Sequence, residues 1–332
     1  MEKVKSKKRK ASENDVLNPA PIADMPAVSE ISDVPVQVSL PQGDKYINPL
    51  TDFGFKRLFG EKNKELMIDF LNSVLDLNDK IVSLEYKNAE QTGQIKKERG
   101  AFFDLHCLTK KKEYIIVEMQ YMPQRYFMDR VLYYATFPIR KQAKKGKWNF
   151  NLNPVYFVCL LDFTIEKKEK QQYLYYVQLM DRDSLKVFYK KLLFLFLELP
   201  DFLKKEEDLK TAADQWLYAI KHLNELRNVP ACYQESRIFR QLFEEAAIAN
   251  LTPEELELYE ESQKKYKNMY TVRDIVKDYE RANVTLTNKV TRLTGKVSAL
   301  SDEVMELRRL LQQSGIDIPN IEKRKNKRAQ KN

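Results

Sequence analysis

The chain has 332 residues, 43% of them hydrophobic, which suffices for one sizeable core with attached segments. No apolar run approaches the roughly 20 residues that cross a bilayer, and the lysine-rich start lacks an apolar signal segment. We therefore expect a cytoplasmic protein with no membrane partner. Three scattered cysteines, Cys107, Cys159 and Cys232, form no CxxC pair, so the sequence predicts neither a disulfide framework nor a zinc cluster.

The net charge of +9 is concentrated at the two ends of the chain. Residues 1–10 and residues 322–332 each carry six positive charges and one negative charge, so the part between them is nearly neutral. Basic ends attract phosphate groups through counterion release, but they serve equally well as solubilising ends that touch nothing specific. Both interpretations stay open on charge alone.

The first predicted elements are an arm and a helical segment. Residues 1–44 combine basic residues with a Pro-containing stretch that has no periodicity, which predicts a disordered arm. Order is predicted to begin near residue 45, with Asp52 as the N-cap of a helix and Lys56 on its solvated face. Apolar residues at helical spacing then continue from Glu65.

The middle of the chain reads as a small α/β core. A strand is predicted over 81–86, followed by two strands over 101–108 and 113–120, separated by a short hairpin loop. A helix over 126–143 precedes 154–161, an almost continuously apolar run that is typical of a strand buried on both faces. Further strands are predicted over 173–181 and 192–199.

The last third of the chain is predicted to be helical, with an extension over 201–268, an amphipathic helix or coiled coil over 269–315 and a basic tail over 316–332. From Leu286 to Leu311 apolar residues alternate by four and three, which is the pattern of a coiled-coil seam. We expect a homodimer through this seam. The alternative is a single amphipathic helix that folds back on the body.

Two acidic residues interrupt the hairpin strands, and their pairing depends on the register. If Thr109 pairs with Glu113 across a loop of three lysines, Asp104 lies opposite Glu118 with Cβ atoms about 5 Å apart. In that arrangement Phe103 would share the core face with Leu105, whereas Asp104 would point away from it. A loop one residue shorter or longer would put the carboxylates out of step.

Close carboxylates repel unless a cation lies between them, and an all-oxygen pair favours Mg²⁺, with Mn²⁺ as a second choice. Such an ion can activate water for attack on a phosphodiester, and Gln120, on the same face, can orient that water. The alternative is that Asp104 and Glu118 are ordinary solvated residues of an antiparallel sheet. His106 is interpreted as a half-exposed strand residue and Arg130 as a surface cation.

Several strings in order resemble the Rpn family of recombination-promoting nucleases, that is, the PD-(D/E)XK nuclease family transposases. The resemblance covers roughly residues 46–280. The strings that carry it are Asn48-Pro-Leu-Thr-Asp-Phe-Gly-Phe-Lys-Arg-Leu-Phe-Gly60, Leu66-Met-Ile-Asp-Phe-Leu-Asn72, Phe103-Asp104-Leu105 and Ile116-Val-Glu-Met-Gln120.

The resemblance implies a restriction-endonuclease-like PD-(D/E)XK core of order αβββαβ over 45–200. The helical C-terminal extension and coiled coil are predicted from the sequence pattern, and the arm before residue 45 and the heptad tail depart from the family pattern. The resemblance also implies metal-dependent DNA cleavage linked to recombination or transposition. By position, Asp104 and Glu118 match the core acidic residues, and Gln120 stands where many relatives in the wider superfamily have lysine. Glu65 is the nearest match to an acidic first-helix residue and is predicted as a third metal contact.

Two hypotheses from different classes follow. The first is a Mg²⁺-dependent DNA endonuclease, in which Lys56 and Arg130 contact the DNA backbone and a homodimer presents two sites. The second is a catalytically inactive scaffold that keeps the nuclease fold and binds DNA or protein partners through its coiled coil and basic ends, since a fold does not guarantee a chemistry.

Overall fold

A computed structural model describes residues 45–91, 101–165 and 172–316 of the chain. The arm predicted over 1–44 and the tail predicted beyond Ile316 lie outside the described residues. The helices are α1 (Asp52–Phe59), α2 (Lys64–Val74), α3 (Phe127–Lys141), α4 (Ala212–His222), α5 (Ala231–Gln234), α6 (Arg237–Ala246) and α7 (Pro253–Gln313). The strands are β1 (Leu84–Tyr86), β2 (Glu90–Gln91), β3 (Ala101–Phe102), β4 (Leu105–Thr109), β5 (Tyr114–Gln120), β6 (Val155–Leu161), β7 (Leu174–Met180) and β8 (Val187–Glu198).

Six of these strands form one mixed sheet in the order β1-β4-β5-β6-β8-β7. Strands β5, β6 and β8 run parallel in its centre, and antiparallel pairs flank them on both sides. With α1 and α2 before the sheet and α3 between β5 and β6, the order matches the predicted αβββαβ core. The predicted α/β fold is therefore confirmed.

Each face of the sheet has its own hydrophobic core. Helices α1, α2, α4 and α6 cover one face, where the Trp216 ring packs within 6 Å of Phe59, Phe70 and Phe239. Helix α3 covers the other face. Every residue of β6 is buried, as its continuous apolar run predicts. The predicted domain boundary at residue 200 remains a prediction. The helices that follow residue 200 pack into the same core as α1 and α2.

Helix α1 begins one residue earlier than the sequence suggests. Thr51, and not Asp52, is the N-cap: its hydroxyl accepts a hydrogen bond from the backbone N–H of Gly54 at 3.0 Å. Asp52 instead forms an exposed ion pair with Lys56 one turn later. A Cβ atom on Gly54 would lie 2.0 Å from the carbonyl oxygen of Asn48, so the turn that starts the domain requires glycine.

Helix α7 is 61 residues long and begins with a capping box in which the Thr252 hydroxyl accepts from the backbone N–H of Glu255. Its first part packs on the body, where Tyr259 and Arg273 are buried. From residue 277 to residue 316 every residue is exposed. The alternative in which this helix folds back on the body is therefore wrong. Among the described helices, none is both long enough and apolar enough to span a membrane.

Candidate active site

The hairpin formed by β4 and β5 has the register that brings the two carboxylates together. Leu105 pairs with Val117, and the N–H of Thr109 donates to the carbonyl of Glu113 at 3.0 Å. The loop consists of three lysines, of which Lys112 adopts a left-handed conformation (φ 63°) that closes the turn. The conditional prediction of a three-residue loop is thus confirmed.

Asp104 lies one step beyond the last paired residue of β4, directly opposite Glu118. In place of ladder hydrogen bonds, side chains bridge the two strands at this position. The backbone N–H of Asp104 donates to Oε1 of Glu118 at 3.2 Å, and the N–H of Met119 donates to Oδ2 of Asp104 at 2.6 Å. Each carboxylate is therefore held in place by a backbone N–H of the other strand.

The alternation expected before β4 is wrong at Phe103. This residue belongs to the core under α3, where its ring contacts those of His106 and Tyr134, and not to the core that holds Leu105 and Cys107. The reason is local: residues 103 and 104 belong to no strand, so the strict period of two does not extend to them.

Glu118 is 4% exposed, which contradicts the alternative in which both carboxylates are solvated. That alternative requires the face of β5 that carries Glu118 to be open to solvent. Helix α3 covers this face, to which both Ile116 and Glu118 point. Asp104 is half-buried at the edge of the same site. A buried carboxylate is costly unless a charge or hydrogen bonds compensate it.

A chain of side-chain hydrogen bonds connects Glu118 to helix α3. Nε2 of Gln120 donates to Oε2 of Glu118 at 3.3 Å, and Nε2 of Gln124 donates to Oε1 of Gln120 at 3.3 Å. The guanidinium of Arg130 donates in turn to Oε1 of Gln124. Gln124 is the member that sequence reasoning missed, since it lies in a short connection without periodicity and without a motif.

Arg130 is half-buried in this arrangement and is more than the surface cation that the sequence suggests. Its guanidinium carbon lies 5.5 Å from the ring centre of Phe127 and 5.7 Å from that of Tyr134. These aromatic contacts hold the charge on the α3 side of the site. The structure thus brings Arg130 to the carboxylates, together with Gln120.

Burial raises the pKa of both carboxyl groups above their ordinary values. For Glu118 the second cause is the nearby Asp104 carboxylate, and the positive charge of Arg130 opposes both effects. For Asp104, burial is opposed by the Met119 N–H bond and by the charges of Lys56 and Arg130, while Asp52 adds to the rise. Two carboxyl groups with raised pKa values at one place are typical of a site that binds a cation or moves a proton.

The remaining predicted residues divide into near and far. Lys56 and Asp52, one turn apart on α1, lie close enough for their charges to act on Asp104. Glu65 is not brought to the pair, because its exposed carboxylate faces Arg237 at 3.3 Å. Asp52, and not Glu65, is therefore the acidic residue of the first helical segment whose charge raises the pKa of Asp104.

His106 is buried, not half-exposed as predicted for a residue of the first hairpin strand. Its ring lies against those of Phe103 and Tyr114, and Nδ1 lies 3.4 Å from the carbonyl oxygen of Asn88. Burial lowers the pKa of His106 to about 4, so the imidazole is neutral at physiological pH. It serves as a core residue beside the site.

The acidic pair is a small donor set. Within the described residues, no group of three or more His, Cys, Asp and Glu side chains is placed to hold a metal ion. Two close carboxylates fit Mg²⁺, which keeps several waters and binds through one or two carboxylates plus substrate phosphates. They suit a structural zinc ion poorly, since such ions take four Cys, His or carboxylate ligands.

The end of β5 is also where the long helix is attached. The guanidinium of Arg273, on α7, donates to the backbone carbonyls of Tyr121 at 3.2 Å and Asp162 at 2.6 Å, and to Oδ2 of Asp162 at 3.0 Å. Tyr121 directly follows Gln120, and its ring lies 5.8 Å from that of Tyr266. The segment from Tyr266 to Arg273, from which the exposed part of α7 leaves the body and which we call its root, therefore lies beside the carboxylate pair.

A family model described as "PD-(D/E)XK nuclease family transposase" matches residues 49–274 of the chain. The matched region contains Asp104, Glu118 and Gln120, and ends one residue after Arg273. No curated protein and no solved structure was found to match.

Proposed function

Because the chain belongs to the PD-(D/E)XK nuclease family transposases, we propose that it is a divalent-metal-dependent DNA endonuclease that hydrolyses phosphodiester bonds in recombination or transposition. The observation that carries the proposal is the pairing of Asp104 with the buried Glu118 at the end of a hairpin. A scaffold without chemistry gains nothing from two close carboxyl groups whose pKa values are raised, since such a pair costs stability.

Asp104 and Glu118 would hold the ion, Mg²⁺ or Mn²⁺, with the open positions left to water and to a phosphate oxygen. An ion bound there supplies two effects, a lowered pKa of bound water and stabilisation of the negative charge that develops on the phosphoryl oxygens. Met119 fixes Asp104 through its backbone N–H, and Gln120 fixes Glu118. These contacts keep both carboxylates oriented before substrate arrives.

Gln120 has a second role in this proposal. Lysine, which many superfamily relatives have at this position, carries a charge, whereas the amide of Gln120 only donates and accepts hydrogen bonds. Arg130 is connected to Gln120 through Gln124, and its positive charge acts on Glu118. We infer that Arg130 supplies the electrostatic part of the lysine's role and that Gln120 supplies the orientation of water or phosphate.

DNA would approach over helix α1 and the start of α3, where Lys56 and Arg130 flank the carboxylate pair. Lys56 is exposed, and its ion pair with Asp52 is a surface pair that is worth little and is easily exchanged for a phosphate. Contacts of this kind bind the backbone and read no base sequence. We therefore expect weak sequence preference, which sequencing of the cleaved ends would test.

The deciding experiment incubates the purified full-length chain with supercoiled plasmid in Mg²⁺, in Mn²⁺ and in EDTA. Glu118→Gln removes the buried carboxyl group with little change in shape, and we expect it to abolish cutting. Glu85→Gln, on the exposed side of β1, is the matched control that should cut like the unchanged protein. Cutting that survives Glu118→Gln would mean a contaminating nuclease or a different site.

Glu65→Gln tests the placement of the third acidic residue. Since Glu65 pairs with Arg237 on the surface, we expect its substitution to leave cutting within a few-fold of normal. Asp52→Asn should change the rate more, because the Asp52 charge reaches Asp104. If all forms of the folded protein fail to cut in both metals, the scaffold hypothesis is favoured.

A further inference from the structure

The exposed half of α7 carries a complete apolar seam that nothing covers within the described part of the chain. Its apolar members are between 38% and 65% exposed. Single exposed apolar residues are normal, but a continuous row on a helix that projects from the body indicates a partner. The members from residue 286 onward are Leu286, Val290, Leu293, Val297, Leu300, Val304, Leu307 and Leu311.

The seam follows a strict heptad with two kinds of position. Valine occupies the a positions 290, 297 and 304, and leucine occupies the d positions 286, 293, 300 and 307. A β-branched residue at a with leucine at d favours two parallel strands over three or four. Among parallel arrangements, the choice between valine and leucine therefore favours two helices.

One polar residue interrupts the seam at the a position 283, where Asn283 lies between Tyr279 and Leu286. In a parallel, in-register pair it meets Asn283 of the second copy, and the two amides hydrogen-bond to each other. In an antiparallel pair it would meet an apolar d residue and lose that partner. A single asparagine at an a position is a known device for fixing register and oligomer state.

The charges beside the seam agree with the same arrangement. Glu303 occupies a g position and Arg308 the e position five residues later, which is the spacing that pairs across a parallel dimer. The helix's own ion pairs, Arg281 with Asp278 and Arg309 with Glu306, occupy c and f positions on the outer face. Gly295 is also at an f position, so its missing side chain leaves the seam intact.

We propose that residues 276–311 of α7 pair with the same residues of a second copy as a parallel, in-register, two-stranded coiled coil. The pairing places both nuclease bodies at the same end of this coiled coil, which we call the stalk. Because Arg273 and Tyr266 fix the root of the stalk beside the end of β5, each carboxylate site lies next to its own root. An antiparallel pair would separate the two roots by about 50 Å, at about 1.5 Å per residue.

In this arrangement the two sites can act on the same DNA segment. This consequence rests on the proposed nuclease function. The pairing itself does not depend on that function. Two sites at one end of a stalk can each cut one strand during a single encounter. Separation of the copies turns the second cut into a new encounter and removes an effective-concentration advantage of about a hundredfold or more.

The solution mass of the full-length chain tests the pairing. Light scattering after gel filtration should give twice 39.3 kDa. Leu293→Lys with Leu300→Lys places four lysines in the seam of the dimer and should give the single mass. Thr291→Lys with Ser298→Lys adds the same charge at b positions on the outer face and should remain dimeric. Near-ultraviolet circular dichroism should show the same folded body in both variants, because every described residue from 277 to 316 is exposed and lies outside the body core.

Disulfide trapping tests the direction. In a Cys232→Ser background, where Cys107 and Cys159 are buried, Leu286→Cys at a d position and Val304→Cys at an a position should each form a covalent dimer alone under mild oxidation. In an antiparallel pair, where a positions meet d positions, neither variant would crosslink alone, and the mixture of the two would. Ser298→Cys, on the outer face, is the control that should stay uncrosslinked. A single mass for the unchanged protein, or crosslinks only in the mixture, would overturn the proposal.

Plasmid cleavage then separates this inference from the function. The seam variant should still nick supercoiled plasmid, but its yield of linear product relative to nicked product should fall by at least about tenfold. A dimer that cuts no DNA would contradict the proposed function and leave the pairing intact. A monomer that cuts DNA would contradict the pairing and leave the proposed function intact.

Discussion

The backbone N–H of Asp104 donates to Oε1 of Glu118 at 3.2 Å, so the two carboxyl groups of the site are locked by the hairpin that carries them. Backbone hydrogen bonds of this kind hold two acidic side chains together in a largely buried site, where their charged forms repel each other. Stability and ion binding must therefore respond to pH in a way that ordinary surface carboxylates do not.

Glu118→Gln should stabilise the metal-free protein in neutral and alkaline buffer. The pKa of Glu118 is raised in the folded state, so the unfolded chain loses that proton first as the pH rises, and stability falls from the ordinary glutamate pKa of 4.5 up through the folded pKa. The variant lacks this fall and should gain about 1–3 kcal/mol in the free energy of unfolding, the usual size of a single-substitution effect.

Thermal unfolding in EDTA across a pH series measures that difference. The gain should be absent in acid, where Glu118 is protonated in both states, and should grow as the pH rises. Glu85→Gln, an exposed glutamate, should show no such trend. A gain that does not depend on pH would mean that packing, and not the carboxylate charge, is responsible.

Mg²⁺ binding should release protons and tighten as the pH rises. Both Asp104 and Glu118 have raised pKa values, and an ion needs their deprotonated forms. Calorimetric titration in two buffers of different ionisation enthalpy gives the number of protons released. Binding that is unchanged between mildly acidic and alkaline buffer would contradict the assignment of these two residues as ligands. Asp104→Ala should weaken binding beyond the roughly 10–100-fold that outer partners of a metal site cost.

The sequence predicts the fold, and it predicts the hairpin register on the condition that the loop has three residues, because both depend on short-range signals. The apolar run of β6, the helical spacing of α2 and the three-lysine loop each specify their own local structure. It does not predict the burial of Glu118 or His106, because that depends on α3, which packs over β5 from later in the chain. Long-range packing likewise determines why Glu65 faces Arg237 and why Arg130 reaches the site.

Two identical substitutions should have opposite effects on stability. Gly54→Ala puts a Cβ atom 2.0 Å from the Asn48 carbonyl oxygen and forces the domain's first turn apart, at a cost of about 3 kcal/mol. At Gly295, among the described residues, no atom lies within 4 Å of the added Cβ. Gly295→Ala should therefore strengthen the exposed helix by about 1 kcal/mol. Thermal unfolding at equal protein concentration compares the two, and equal effects would contradict the role given to the Asn48 turn.

Arg273→Met should destabilise the protein by about 3–5 kcal/mol, because it leaves the Asp162 carboxylate buried without its partner. Arg273 also opposes the effect of burial on the pKa of Asp162, so that pKa should rise further and the loss of stability should be smaller in acid. Arg281→Met removes an exposed pair on the same helix and should cost less than about 1 kcal/mol. Urea unfolding of both variants at two pH values measures the contrast.

Mg²⁺ binding should strengthen with pH and reach half its limiting strength at a midpoint pH. Arg130→Met should raise this midpoint by about one unit, because the arginine charge lowers the pKa of Glu118. A residue that only packs against Phe127 and Tyr134 would leave that midpoint unchanged, since methionine keeps much of the apolar contact. Arg130→Lys restores a charge without the planar group that reaches Gln124, so it should recover part of the shift. Arg237→Met, which frees the distant Glu65, serves as the control with an unmoved midpoint. An unmoved midpoint in Arg130→Met as well would remove Arg130 from the electrostatics of the site and leave Gln120 as its link to α3.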